Sequence, residues 1–165
     1  MYEETVDQAT EDGQNFCDLL RSRNIHCGIK LDKGLVPMMG TNEETATQGL
    51  DGLAARAATF YAKGCRFAKW RAVVKIGAGR PTELSVNETA HTLARYGAIC
   101  QENGLVPIIE PEILIDGDHS IDDCARISEH VFSTVMKAMI DAHLIIEGTL
   151  LKPNMVTPGA ANEHK

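Results

Sequence analysis

A lysine that follows an apolar run is the residue of this sequence with the clearest chemical potential. Lys152 closes the run "LIIEGTLLK", and Pro153 follows it. Proline has no backbone N–H to give to a sheet, so it ends an extended segment. Burial at the end of a strand favours the neutral amine of a lysine, and a neutral amine is what carbonyl chemistry through a Schiff base requires. The alternative for this segment alone is a strand-end lysine that reaches solvent.

Charged residues also end three other apolar segments, in pairs two residues apart: Lys30 with Asp32, Lys69 with Arg71, and Glu110 with Glu112. Side chains of a strand alternate between its two faces, so each pair shares a face. Several cations in one place can hold phosphate groups, and a carboxylate among them can transfer protons. For a single residue the alternative is a solvated strand-end charge, but the joint pattern on four segments favours a site.

The elements that would position these residues follow a regular strand–helix period. We predict strands at 26–32, 66–76, 105–111 and 144–153. Helices are predicted from a short one at 16–20, a second after the capping box at 41–44, a third from Ser85 to Gly104 and a fourth from Ser120. This alternation predicts an α/β fold with a parallel sheet covered by helices. In a (β/α)8 barrel the strand ends would converge on one active-site mouth.

Composition narrows the function classes further. The chain has 165 residues, 44% of them hydrophobic, which suits a single domain over 1–165 with a loose tail at 160–165. The net charge of −7 without a basic block argues against nucleic acid as a partner. No apolar stretch is long enough for a membrane span, and residues 1–25 do not resemble a signal peptide. The five cysteines, without paired spacing, predict reduced, buried thiols in a cytosol-like compartment. We expect no metal site, because no ligand spacing is visible.

Five motifs carry a family resemblance: "GIKLDKG", "TQGLDGL", "FAKWR", "EPEILIDGDH" and "IEGTLLKPNMVTPG". On these motifs and their spacing, the sequence resembles class I fructose-bisphosphate aldolases, the metal-independent type, from Met1 to about Gly159. The resemblance implies a TIM (β/α)8 barrel, of which this chain covers four consecutive βα units, strands three to six. Family members are about twice as long, so it implies a central fragment. It also implies a cytoplasmic homotetramer that acts on a phosphorylated sugar without a cofactor.

The resemblance assigns a role to each of the strand-end residues. Lys152 forms the Schiff base with the ketone of fructose 1,6-bisphosphate, Glu110 shuttles protons, and Lys69 contacts the substrate near the bond being cleaved. The remaining residues bind the substrate or support that binding: Lys30, Arg71, Asp32 and Glu112. The implied products are dihydroxyacetone phosphate and glyceraldehyde 3-phosphate. The protonated imine takes the electron-sink role that a metal ion has in the other aldolase class.

Two alternatives stand beside this reading. One is a different Schiff-base aldolase on a barrel, of the transaldolase-like or deoxy-sugar type, which would need its lysine on another strand. The other is a truncated, non-catalytic aldolase fragment that acts, if at all, by binding a partner. The resemblance places an aspartate, a serine and an arginine of the family's site outside this chain. An open reading frame that continues on both sides in the genome would favour the enzyme.

Overall fold

Four strands form one parallel sheet, in the order in which they occur along the chain. The computed structural model describes residues 1–163, so His164 and Lys165 of the predicted loose tail lie outside the described residues. The sheet contains β1 (Cys27–Lys30), β4 (Cys65–Val74), β5 (Val106–Ile113) and β6 (Leu150–Leu151), and β2 (Leu35–Pro37) and β3 (Thr45–Thr47) form a separate antiparallel hairpin. The predicted parallel sheet is confirmed, and each of its four strands overlaps one of the predicted segments.

Helices cover one face of this sheet. They are α1 (Glu3–Val6), α2 (Phe16–Ser22), α3 (Leu53–Ala62), α4 (Glu83–Glu102), α5 (Ile121–Asp141) and a 3₁₀ helix (Ile146–Gly148). Trp70 of β4 is fully buried and stacks on Tyr96 of α4, with ring centroids 5.1 Å apart. The Tyr96 hydroxyl donates to the Ala68 carbonyl at 2.7 Å, which ties the helix to the strand. Among residues 1–163, no helix is long and apolar enough to cross a membrane.

The five cysteines are all buried and free, as the sequence predicted. Their positions are Cys17, Cys27, Cys65, Cys100 and Cys124. Burial raises the pKa of Cys100 to about 12, so this side chain is a thiol at neutral pH. The cysteines therefore act as small apolar residues of the core.

The predicted capping box at 41–44 does not begin a helix. Glu44 is buried, and its carboxylate accepts hydrogen bonds from the backbone N–H and hydroxyl of Thr82, at 2.8 and 2.6 Å. This distant partner outweighs the local capping pattern, because a buried carboxylate needs donors. The following helix, α3, begins only at Leu53, after Gly52 with φ +66°.

The start of α4 also differs from the prediction. Thr82, not Ser85, is the N-cap, and its hydroxyl accepts from the Ser85 N–H at 3.2 Å. The bonds to Glu44 hold Thr82 in this place. For α5 the predicted cap is confirmed, since Ser120 accepts from the Asp123 N–H at 3.1 Å.

The last predicted strand, 144–153, is much shorter in the structure. Upstream, the backbone of Ile145 is occupied by the side-chain amide of Gln101 in α4, which donates at 2.8 Å and accepts at 3.0 Å. A 3₁₀ helix then precedes Leu150–Leu151. Downstream, Pro111 stands on β5 where the next N–H of a parallel ladder would be, so pairing stops. The apolar run alone predicted a longer strand, because the residues that interrupt the strand are remote in sequence.

Candidate active site at the ends of the strands

The strand register places the charged side chains on one face of the sheet. Lys30 of β1 lies beside Lys69 of β4, and Arg71 of β4 lies beside Glu110 of β5. This is the face opposite the one that carries Trp70, because side chains alternate along a strand. The alternation predicted from the sequence therefore brings residues of four separate segments to one place.

Glu110 lies at the centre, between two amines. Its side chain is only 2% exposed, and Oε1 accepts a hydrogen bond from Lys152 Nζ at 2.6 Å. Oε2 lies 3.3 Å from Lys69 Nζ, but no donor among residues 1–163 is aligned to hydrogen-bond it. A buried carboxylate oxygen with a free lone pair can take up or release a proton. The geometry therefore suits proton transfer beside the Lys152 amine.

The prediction that Lys152 is buried in apolar surroundings is wrong for this structure. Its side chain is 59% exposed. The physical reason is that β6 lies at the edge of the sheet, where Leu150 and Leu151 are themselves about half exposed. The main feature of the lysine's surroundings is thus its ion pair with Glu110 and not desolvation.

Asp32 links β1 to the neighbouring strand β4. It is buried, and its carboxylate accepts from Lys30 Nζ and from the Gly34 N–H, the latter at 3.2 Å. Its second oxygen lies 3.4 Å from the backbone nitrogen of Arg71. Asp32 therefore contacts the backbone that carries a predicted phosphate-binding residue as well as the Lys30 amine.

Arg71 and Glu112 form an ion pair at the rim of the charged face. The hydrogen bond from Arg71 holds the pKa of the Glu112 carboxyl below its usual value, and the same bond raises the pKa of the Arg71 guanidinium. Both side chains are about one-third exposed, so incoming anions can reach the guanidinium. The structure thus brings all seven predicted residues to one face. Three of the ion pairs link neighbouring strands, and the Lys30–Asp32 pair lies within one segment.

A cleft of 330 Å³ opens on this face, and six of its residues are Gly28, Lys30, Phe67, Lys69, Ile108 and Lys152. Phe67 forms part of its wall, beside Gly28 on the next strand. A Cβ on Gly28 would lie 2.0 Å from the Phe67 ring, so a larger residue there would require the ring to move. Sequence reasoning missed both residues, although a glycine inside a strand signals a close approach.

The hairpin of β2 and β3 also reaches the site. Thr47 is buried at the end of β3, and its hydroxyl donates to the Arg71 carbonyl at 2.8 Å. The hairpin is thereby fixed beside the strand that carries Arg71. Sequence reasoning missed Thr47, and no local pattern around it could have indicated this contact.

Comparison with known proteins gives one consistent family. A family model described as "Fructose-bisphosphate aldolase class-I" matches residues 1–165. A fructose-bisphosphate aldolase of Dictyostelium discoideum is 58% identical over 161 residues, covering 96% of this chain and 45% of that protein. The cytoplasmic isozyme of Spinacia oleracea is 57% identical over 163 residues, covering 99% of this chain and 46% of that protein.

A solved structure matches as well. Fructose-bisphosphate aldolase from Plasmodium falciparum, in complex with TRAP and a small-molecule inhibitor, has a TM-score of 0.97 and 54% sequence identity. The match covers 99% of this chain and 48% of that one. The chain thus spans about half the length of the relatives it matches.

Proposed function

Because this chain belongs to the class I fructose-bisphosphate aldolase family, we propose that it carries the Schiff-base part of an aldolase active site. The complete barrel would cleave fructose 1,6-bisphosphate reversibly to dihydroxyacetone phosphate and glyceraldehyde 3-phosphate. The observation that carries this proposal is the 2.6 Å contact between Lys152 Nζ and the buried Glu110 carboxylate. The four strands are part of a TIM barrel.

The proposed chemistry begins at the Lys152 amine. Glu110 takes a proton from the Lys152 ammonium group, and the neutral amine attacks the substrate ketone. Glu110 then gives the proton to the departing hydroxyl, so that a protonated imine and one water molecule are formed. The protonated imine then accepts the electron pair of the breaking carbon–carbon bond. Oε2 of Glu110 supports this role, because it accepts no hydrogen bond within residues 1–163 and lies beside the Lys69 amine, while Oε1 faces Lys152.

Lys30 and Arg71 would hold the substrate's phosphate groups. They lie on one face with Lys69, and each of these three cations is paired with a carboxylate in the structure. A phosphate would compete for these charge-assisted hydrogen bonds, so binding exchanges one anion for another. For the complete protein we propose a cytoplasmic location, supported by the names of relatives. The homotetramer stays a prediction from the resemblance.

Covalent trapping tests the proposed function. We define the chimera as the D. discoideum aldolase in which this chain replaces the homologous span. With dihydroxyacetone phosphate and borohydride, we expect the peptide that contains Lys152 to gain the mass of the reduced adduct, as read by mass spectrometry. Lys152→Met should abolish the label, whereas Lys137→Met, on the exposed face of α5, should not. A label on another lysine, or none in an active chimera, contradicts the proposal.

The Arg71–Glu112 pair predicts a defined acid dependence of stability. The pKa of Glu112 is lowered in the folded chain, so the pair's stabilisation is complete above the ordinary carboxyl pKa. It is lost as the pH falls through the lowered value. Glu112→Gln should therefore lower the unfolding midpoint of the chimera at about pH 6, and by less at about pH 4, which is below the ordinary pKa of a glutamate.

Urea unfolding followed by circular dichroism measures this difference. Glu129→Gln, at an exposed position of α5, is the matched control and should leave the midpoint unchanged at both pH values. If the difference in unfolding midpoint between Glu112→Gln and the parent chimera stays constant with pH, the ion pair does not contribute to stability.

A further inference from the structure

Backbone pairing between β5 and β6 stops at Lys152. The Lys152 N–H donates to the Ile109 carbonyl at 2.9 Å. In a parallel ladder the next N–H on this side of β5 belongs to residue 111 and would donate to the Lys152 carbonyl. Residue 111 is a proline without an N–H, and Pro153, which follows the lysine, has none either. The backbone ladder therefore holds the lysine's segment only through bonds up to Lys152.

The side chain of Asn154 supplies the next attachment. Its Oδ1 accepts from the Ile113 N–H at 3.4 Å, and its amide nitrogen donates to the Met155 carbonyl at 3.1 Å. In a regular ladder the Ile113 N–H would bond to the backbone carbonyl of residue 154. The asparagine amide takes the place of that carbonyl. Lys152 is thus held between two points on β5, Ile109 before it and Ile113 after it.

We propose that Asn154 is a positioning residue for Lys152, which keeps the lysine's backbone on β5 so that the amine stays within reach of Glu110. This inference rests on the proposed function. Glu110 lies on β5, so a segment attached to Ile113 moves together with the carboxylate. The attachment matters because the Lys152 side chain is 59% exposed and has little packing of its own to hold it.

The consequence for the reaction is a loss of rate and not of substrate affinity. Attack on a ketone requires the reacting atoms to meet at about 3 Å in the right direction, and a displacement of about 1 Å can cost about 10²-fold. The proposed phosphate-binding residues Lys30 and Arg71 lie on β1 and β4, whereas the hydrogen bonds of the Asn154 side chain go to Ile113 of β5 and to Met155. Removing its acceptor should therefore lower kcat and leave KM nearly unchanged.

The test compares two substitutions in the chimera. Asn154→Leu keeps the size but removes the acceptor, and we expect kcat and the rate of borohydride trapping to fall about 10- to 100-fold, with KM within about twofold. Asn154→Asp keeps an acceptor oxygen and should restore the rate to within about threefold of the parent. Asn103→Leu is the control, because Asn103 bonds to the Ile99 carbonyl at the end of α4, away from the site.

Several outcomes would overturn the inference. One is an unchanged trapping rate in Asn154→Leu, and another is an equal loss in Asn154→Leu and Asn154→Asp. Circular dichroism checks folding, and if the leucine variant unfolds, Asn154→Ala removes the acceptor without adding bulk and carries the same expected loss. A parent chimera that forms no adduct defeats the proposed function itself. If the parent chimera forms the adduct and Asn154→Leu forms it equally fast, only the positioning role of Asn154 is contradicted.

Discussion

Glu110→Gln in the chimera is expected to slow imine formation and dehydration about 10²–10⁴-fold, which is the usual size of a general acid–base contribution. Glutamine keeps the shape of the side chain and can still contact Lys152, but it cannot transfer a proton. Substrate affinity should change much less than turnover, because the cations proposed to hold phosphate remain in place.

Single-turnover measurements separate these steps. The rate of imine formation is followed by borohydride quenching, and the half-saturation concentration comes from steady-state cleavage. Glu147→Gln, in the 3₁₀ helix before β6, is a matched carboxylate change outside the charged face. An unchanged turnover number with a raised half-saturation concentration would make Glu110 a binding residue and would leave the proton transfer without an assigned group.

The second large effect is expected when residues 1–165 are expressed alone. We expect no measurable cleavage and a strong tendency to associate. Four parallel strands cannot close an eight-stranded barrel, and β6 leaves an edge on which Leu150 and Leu151 are 52% and 53% exposed. The open face of the sheet adds further exposed apolar surface, including Val106 at 38%.

Size-exclusion chromatography with light scattering, run beside a cleavage assay, measures both effects. Leu151→Lys places a charge on the exposed edge and should shift the chain toward smaller species without restoring activity. Leu84→Lys, on exposed surface at the start of α4, serves as a control for added charge away from the edge. A monodisperse monomer of the parent chain with near-normal turnover would contradict this reading of its architecture.

The sheet and the convergence of charges could be predicted because both follow from local periodicity. A two-residue alternation states which side chains share a face, and parallel strands bring their ends together. The positions of Lys69, Arg71 and Glu110 required nothing more. The helix of α5 was predictable for the same reason, since its cap lies beside its own apolar stripe.

The predictions that were wrong concern features that depend on a partner remote in sequence. Glu44 was assigned to a local cap and instead binds Thr82, and the backbone of Ile145 is taken by Gln101. The exposure of Lys152 could not be read from its apolar neighbours, because an apolar run does not reveal that its strand lies at a sheet edge. Asn154 was missed because its acceptor role depends on the Ile113 N–H of another strand.

The stacking of Trp70 on Tyr96 has a practical consequence. Trp70 is the only tryptophan of the chain, and it is fully buried on the back of the strand that carries Lys69 and Arg71. Its fluorescence therefore reports on one location, the contact between β4 and α4. A blue-shifted emission from associated material would show that the four-stranded sheet and its helices are folded within the assemblies. A red-shifted emission would indicate aggregates of unfolded chain. Light emitted by one residue thus separates assembly from misfolding without a crystal.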